Sequence, residues 1–98
     1  MVGIRWTLQA SQDLDSIVEF IAKDSPQYAR LLAVDIFQAV ERIAEFPESG
    51  RIVPELGDPV VREIILGNYR LVYRLQEKHI ELLTVYHGAR LLDPAKLK

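Results

Sequence analysis

From Arg62 to Arg90 the chain reads R-E-I-I-L-G-N-Y-R-L-V-Y-R-L-Q-E-K-H-I-E-L-L-T-V-Y-H-G-A-R. Three runs of alternating apolar and polar residues are divided by two turn signals, Gly67-Asn68 and Glu77-Lys78. That pattern predicts a three-stranded antiparallel meander. Two-residue loops at those signals fix the register. Leu66 then faces Tyr69, Ile65 faces Arg70 and Ile64 faces Leu71. In the second hairpin Arg74 faces Glu81, Val72 faces Leu83, Arg70 faces Val85 and Tyr69 faces Tyr86. Side chains alternate between faces. One face carries Ile64, Leu66, Tyr69, Leu71, Tyr73, Leu75, Ile80, Leu82 and Tyr86, and must pack on other elements. The other carries Ile65, Arg70, Val72, Arg74, Glu81, Leu83, Val85 and His87. Half of that second set is aliphatic, more than a solvated sheet face needs. A half-apolar face bordered by arginines is expected to be an exposed docking surface.

The first half of the chain changes period. Val2–Trp6 alternates briefly, which predicts a short strand. Ala10, Leu14, Ile17, Val18 and Ile21 then recur at helical spacing, with Thr7 or Ser11 as the cap. Asp13, Asp15 and Glu19 fall in the early turns, where the helix dipole favours negative charge. Ser25 is a natural N-cap and Pro26 a natural first helical residue for a second helix ending near Phe46. Its core stripe is Ala29, Leu32, Ala33, Ile36, Val40 and Ile43. The join is so short that the two helices form an antiparallel hairpin. Leu31, Val34 and Phe37 make a second apolar stripe off the core face. It belongs either to a wider core or to a partner. Glu48–Arg51 reads as a turn, and Ile52–Pro59, with Pro54, Gly57 and Pro59, as an irregular link. The resulting fold class is α+β: a short strand, a helical hairpin, then the meander. The 98 residues are expected to form one domain, 1–98.

Composition narrows the chemistry. There is no cysteine, which excludes disulfides, thiolate metal sites and a cysteine nucleophile, and fits a reducing compartment. No charged-then-apolar leader opens the chain, and no apolar run approaches the ~18–20 residues of a membrane span. The expectation is a soluble, cytoplasmic protein. Net charge is −2, weakly against general nucleic-acid binding. Residues 1–50 hold 4 Lys/Arg against 8 Asp/Glu, while residues 51–98 hold 8 against 6. An anionic partner would therefore meet the sheet half, unless the difference is ordinary surface scatter.

The candidate chemical groups lie on the second sheet face. Arg74 has Glu81 across from it, so an exposed cross-strand pair explains it. Arg70 faces Val85 and has no acidic partner directly across, which leaves it open for function. His87 ends the last strand on the same face, and Arg90 follows a glycine. A histidine and two arginines meeting there suit phosphodiester chemistry, with histidine as acid or base and arginine steadying the phosphate. The alternative is a strand-end histidine touching solvent. His79 and His87 sit at opposite ends of one strand and cannot share a metal. No metal or cofactor is expected.

The order and spacing of I-R-W-T, A-x-x-D-L-D-x-I, F-P-x-x-G-R at Phe46–Arg51, V-P-E at 53–55, R-E-I at 62–64, Y-R-L-V-Y-R at 69–74 and V-Y-H-G-A-R at 85–90 resemble the RelE/ParE superfamily of bacterial type II toxins, over nearly the whole chain. The resemblance implies the same strand, hairpin and sheet. It also implies a cognate antitoxin whose C-terminal segment wraps the toxin, giving a hetero-oligomer. Its two activities are messenger RNA cleavage on the ribosome, by RelE-like members, and poisoning of DNA gyrase, by ParE-like members. In the RNases, arginines matching Arg70 and Arg90 hold the scissile phosphate, and His87 would have to supply acid and base. The lysines those enzymes carry before that strand are absent from Pro54–Asn68, and no tyrosine follows Arg90. The expected function is accordingly a gyrase-poisoning toxin that is not an enzyme. The alternatives are a ribosome-dependent endoribonuclease and a degenerate toxin acting only as an antitoxin-bound corepressor. Target or antitoxin contacts are expected at Arg62, Arg70, Val72, Leu83 and Val85 on the sheet and at Leu31, Val34 and Phe37 on the second helix.

Overall fold

The structure, a computed structural model, describes residues 2–88. Chain order is β1 (Gly3–Trp6), α1 (Leu8–Ala22), α2 (Pro26–Glu45), β2 (Arg51–Ile52), β3 (Val61–Leu66), β4 (Tyr69–Leu75) and β5 (His79–His87). The fold is α+β. The strands make one sheet in the order β1-β5-β4-β3-β2. The meander is antiparallel, and β1 adds parallel to β5.

Thr7 caps α1. Its hydroxyl accepts from the Ala10 amide at 3.1 Å and donates to the Leu82 carbonyl at 2.7 Å, fastening the helix start to β5. Ser25 caps α2 through the Tyr28 amide, with Pro26 in the first turn. Because α1 begins at Leu8, its first turn holds no acidic residue. Asp13 serves the sheet instead of the helix dipole. The hairpin's inner stripes, Ala10 and Leu14 with Leu32, Ile36, Ala39, Val40 and Ile43, meet Leu71, Tyr73, Ile80, Leu82 and Val85 in the main core. Ala33, expected in the α2 stripe, is only half-buried, whereas Ala39 and Ala44 are buried.

Gly67 turns the first hairpin at φ 58°, and the pairs Leu66–Tyr69, Ile65–Arg70 and Ile64–Leu71 form as expected. Glycine meets a positive φ there without steric cost. In the second hairpin the register holds from Leu75–Ile80 through Tyr73–Leu82 and then slips. Leu83 is an extra residue on β5, a bulge. Beyond it Val72 pairs with Thr84, Arg70 with Tyr86 and Tyr69 with His87. A bulge reverses the facing of every residue beyond it. Val85 thus turns into the helix-side core, and Tyr86 leaves it for the other face. His87, also past the bulge, pairs with Tyr69 and shares its facing, not that of Arg70. All three were expected the other way round.

Two further corrections concern that other face. Arg51–Ile52, expected to be turn and link, is an edge strand on β3. The link between β2 and β3 does not leave the sheet bare. Val53 and Leu56 lie on Val61, Val72 and Leu83 as a second small core. Val53 N–H donates to the Val61 carbonyl, and Val61 N–H to Asp58, closing the link into a strap. Val72 and Leu83 of the outer face are covered from within the chain, for the same reason that any apolar sheet face is covered, while Ile65 nearer the first hairpin stays 49% exposed.

Candidate functional site

The strap places a charged network on the outer face of the sheet. Arg70, at 6% exposure, donates through Nη1 and Nη2 to Glu55 of the strap at 2.8 and 2.9 Å, and through Nε to Glu63 of β3 at 2.6 Å. Glu63 is 1% exposed and takes a second guanidinium, from Arg51, on its other oxygen. The Arg70 guanidinium also lies over the Tyr86 ring, 5.0 Å from its centroid. Hydrogen bonding to Glu55, then to Glu63, holds the Arg70 pKa above its ordinary value against the opposing effect of burial. Burial pushes the Tyr86 phenol up to about 12, with Arg70 pulling the other way. Among the described residues the buried Tyr86 hydroxyl has no hydrogen-bond partner.

No acidic residue lies directly across from Arg70, as expected, but the inference that this leaves it open is corrected: two carboxylates reach it from other positions. Glu63 was within reach of sequence reasoning. It lies two residues from Ile65, which faces Arg70, so the two charges are diagonal cross-strand neighbours. Glu55 was not, because an irregular link has no register. Arg74 behaves as expected, opposite Glu81 with 3.5 Å between Nη1 and Oε1.

The other expected site residues divide into exposed and covered groups. Val72, Leu83 and Val85 are buried at 0%, 6% and 2% exposure, so they offer no open docking face. Val72 and Leu83 are closed off by the strap and Val85 by the helices. Arg62 donates to the carbonyls of Pro59, Glu48 and Gly50, holding the strap and the α2–β2 turn together. His87 is exposed and sets its ring edgewise to Tyr69, 5.5 Å between centroids. It borders the same shallow depression as Arg51 and Arg70. Arg90 lies outside the described residues. On α2, Leu31, Val34 and Phe37 are exposed at 61%, 45% and 51%, so that stripe is not part of a wider core. The Phe37 ring leans on Trp6 at 5.7 Å. No helix among the described residues is long and apolar enough to cross a membrane.

Residues 4–92 match the family model described as the ParE toxin of the type II toxin–antitoxin system parDE. The Sinorhizobium fredii protein Y4kP is 40% identical over 87 residues, 87% of this chain and 86% of that protein. Toxin RelE2 of Caulobacter vibrioides is 30% identical over 92 residues, 93% of this chain and all of that protein. Among solved structures, a chain of the chromosomal ParDE system from P. aeruginosa superposes with a TM-score of 0.72 at 26% identity, covering 89% of this chain and 96% of that one.

Proposed function

Because this chain belongs to the ParE toxin family of type II toxin–antitoxin systems, we propose that it arrests growth by poisoning DNA gyrase, in the cytoplasm, and that a cognate antitoxin neutralises it. The observation that carries the choice of target is the engagement of Arg70. Cleavage of RNA at this face would require that guanidinium to steady a phosphate. Here it is bound to two carboxylates, and Glu63 is itself shared with Arg51. An incoming phosphate would have to displace Glu55 and would still meet the buried charge of Glu63. A protein-contact mechanism makes no such demand. A net charge of −2 also suits a protein target better than a ribosomal one, since RNA affinity is largely cationic. The antitoxin's place on this reading is the exposed Leu31, Val34 and Phe37 stripe, giving a hetero-oligomer.

Ribosome-dependent messenger RNA cleavage is the second reading. One observation favours it: His87 is exposed beside the depression that Arg51 and Arg70 border. The two are separated in growing cells. On the gyrase reading the His87→Ala variant stays toxic, and induction raises the DNA-damage response while protein synthesis continues at first. Immediate loss of protein synthesis with intact DNA, abolished by His87→Ala, would transfer the function to the ribosome.

A further inference from the structure

At the end of the sheet remote from His87, the C-terminus of α2, the residues before β1 and the β4–β5 turn enclose a cleft of about 550 Å³. The length of β4 separates it from the Arg70 network's depression, roughly 20 Å at the usual strand rise. Its floor is apolar: Val2, Leu75 and Ile80, continuous with the main core. Its wall is Phe46 with Pro47, and Phe46 leaves 59% of its surface open. The rim is Glu45, Glu48 and Glu77, and no lysine or arginine lines the cleft among the described residues. None of the three carboxylates makes an ion pair among the described residues. The negative end of the α2 dipole adds to their field at the same spot.

We infer that this cleft is a docking surface for a protein segment that carries an apolar side chain flanked by lysines or arginines. The apolar side chain lies against Phe46 over Val2, Leu75 and Ile80. The flanking cations reach Glu45 and Glu48 on one side and Glu77 on the other. An arginine suits this place further, because its planar guanidinium can stack on the open Phe46 ring. The complementarity excludes an acidic segment, which would meet three like charges, and leaves a purely apolar one with no partner for the rim. The cleft is separate from the α2 stripe, and its role does not depend on which target the toxin poisons.

The test uses the whole protein and a fluorescein-labelled peptide, Leu-Lys-Leu-Arg-Leu-Lys, in an anisotropy titration at low salt. The peptide should bind, and a version with every lysine and arginine replaced by glutamate should not. The triple variant Glu45→Lys, Glu48→Lys, Glu77→Lys should weaken binding about tenfold, the summed effect of three partly exposed ion pairs. Phe46→Ser should weaken it by a similar factor without altering the melting temperature, since the ring is exposed. Asp15→Lys with Glu19→Lys, a charge reversal on another acidic surface, should leave affinity nearly unchanged. Equal loss in the two charge-reversed variants would mean general attraction to an acidic protein and would overturn the assignment. So would equal binding of the two peptides. A dimer of the protein alone that Phe46→Ser dissociates would give the cleft to a second copy and overturn it too.

Discussion

Glu63 is a carboxylate with 1% exposure and a guanidinium on each oxygen. Such an arrangement contributes little net stability while intact, because desolvation offsets most of the attraction. Removing one partner leaves a buried charge short of compensation. Arg70→Ala should therefore destabilise the fold by about 3–5 kcal/mol, read as a lower urea midpoint with an unchanged slope. Loss of toxicity in that variant would then report unfolding and would not identify a catalytic arginine. Tyr86 makes an opposite prediction. Its hydroxyl is buried with no described partner, so Tyr86→Phe should stabilise the protein by about 1 kcal/mol. The phenol's pKa is about 12 in the fold against 10.0 ordinarily. Between those values the unfolded chain loses the proton first, so stability falls as pH rises from about 10 towards 12 and is unaffected by this group below that window. The variant should show a shallower fall, measured by denaturation at a series of alkaline pH values. Glu63, a diagonal cross-strand neighbour of Arg70, is missed when only directly opposite residues are weighed, although the alternation carries the signal. The facing of Tyr86 carries no such signal, because it depends on a bulge upstream of it.

That bulge is the feature of the elements that the sequence hid. Leu82-Leu83 breaks the alternation of β5, but two adjacent leucines are equally compatible with a strand buried on both faces. No glycine or proline marks the slip. What holds it is Asp13, from the middle of α1, whose carboxylate accepts from the Thr84 hydroxyl and from the Val85 amide. Asp13→Ala removes an acceptor from the backbone at the bulge and should cost about 1–3 kcal/mol, measurable as a lower melting temperature. Amide exchange of Val85 should speed up more than that of Leu71, deep in β4. The elements with local signals were legible: the caps at Thr7 and Ser25, Pro26, and the turn at Gly67. β2 was not, because two residues carry no period. Its neighbour Gly50 shows how tightly that region is built. A Cβ there would stand 2.8 Å from the Glu63 carbonyl and 2.6 Å from the Tyr73 hydroxyl, to which the Gly50 amide donates.

Across the whole molecule, the strap exchanges an expected docking face for a closed one. Val53 and Leu56 cover Val72 and Leu83, and Glu55 reaches Arg70. A stripe of open apolar residues lies elsewhere, on α2. Leu31 is 61% exposed, so Leu31→Asp should change stability by less than about 0.5 kcal/mol. It should weaken the antitoxin complex by at least about tenfold if the stripe is a binding centre, as isothermal titration with the cognate antitoxin would show. The family was readable from ordered motifs along nearly the whole chain, and the fold followed from it and from periodicity alike. The target depends on which side chains are free at one face, and that depended on the strap. The most direct measurement is therefore a pair of reactions with the same purified protein, one with gyrase and supercoiled plasmid, the other with ribosomes translating a defined message. The account predicts accumulation of gyrase-linked cleaved plasmid and an intact message. Cleavage of the message on the ribosome, with plasmid untouched, would contradict it.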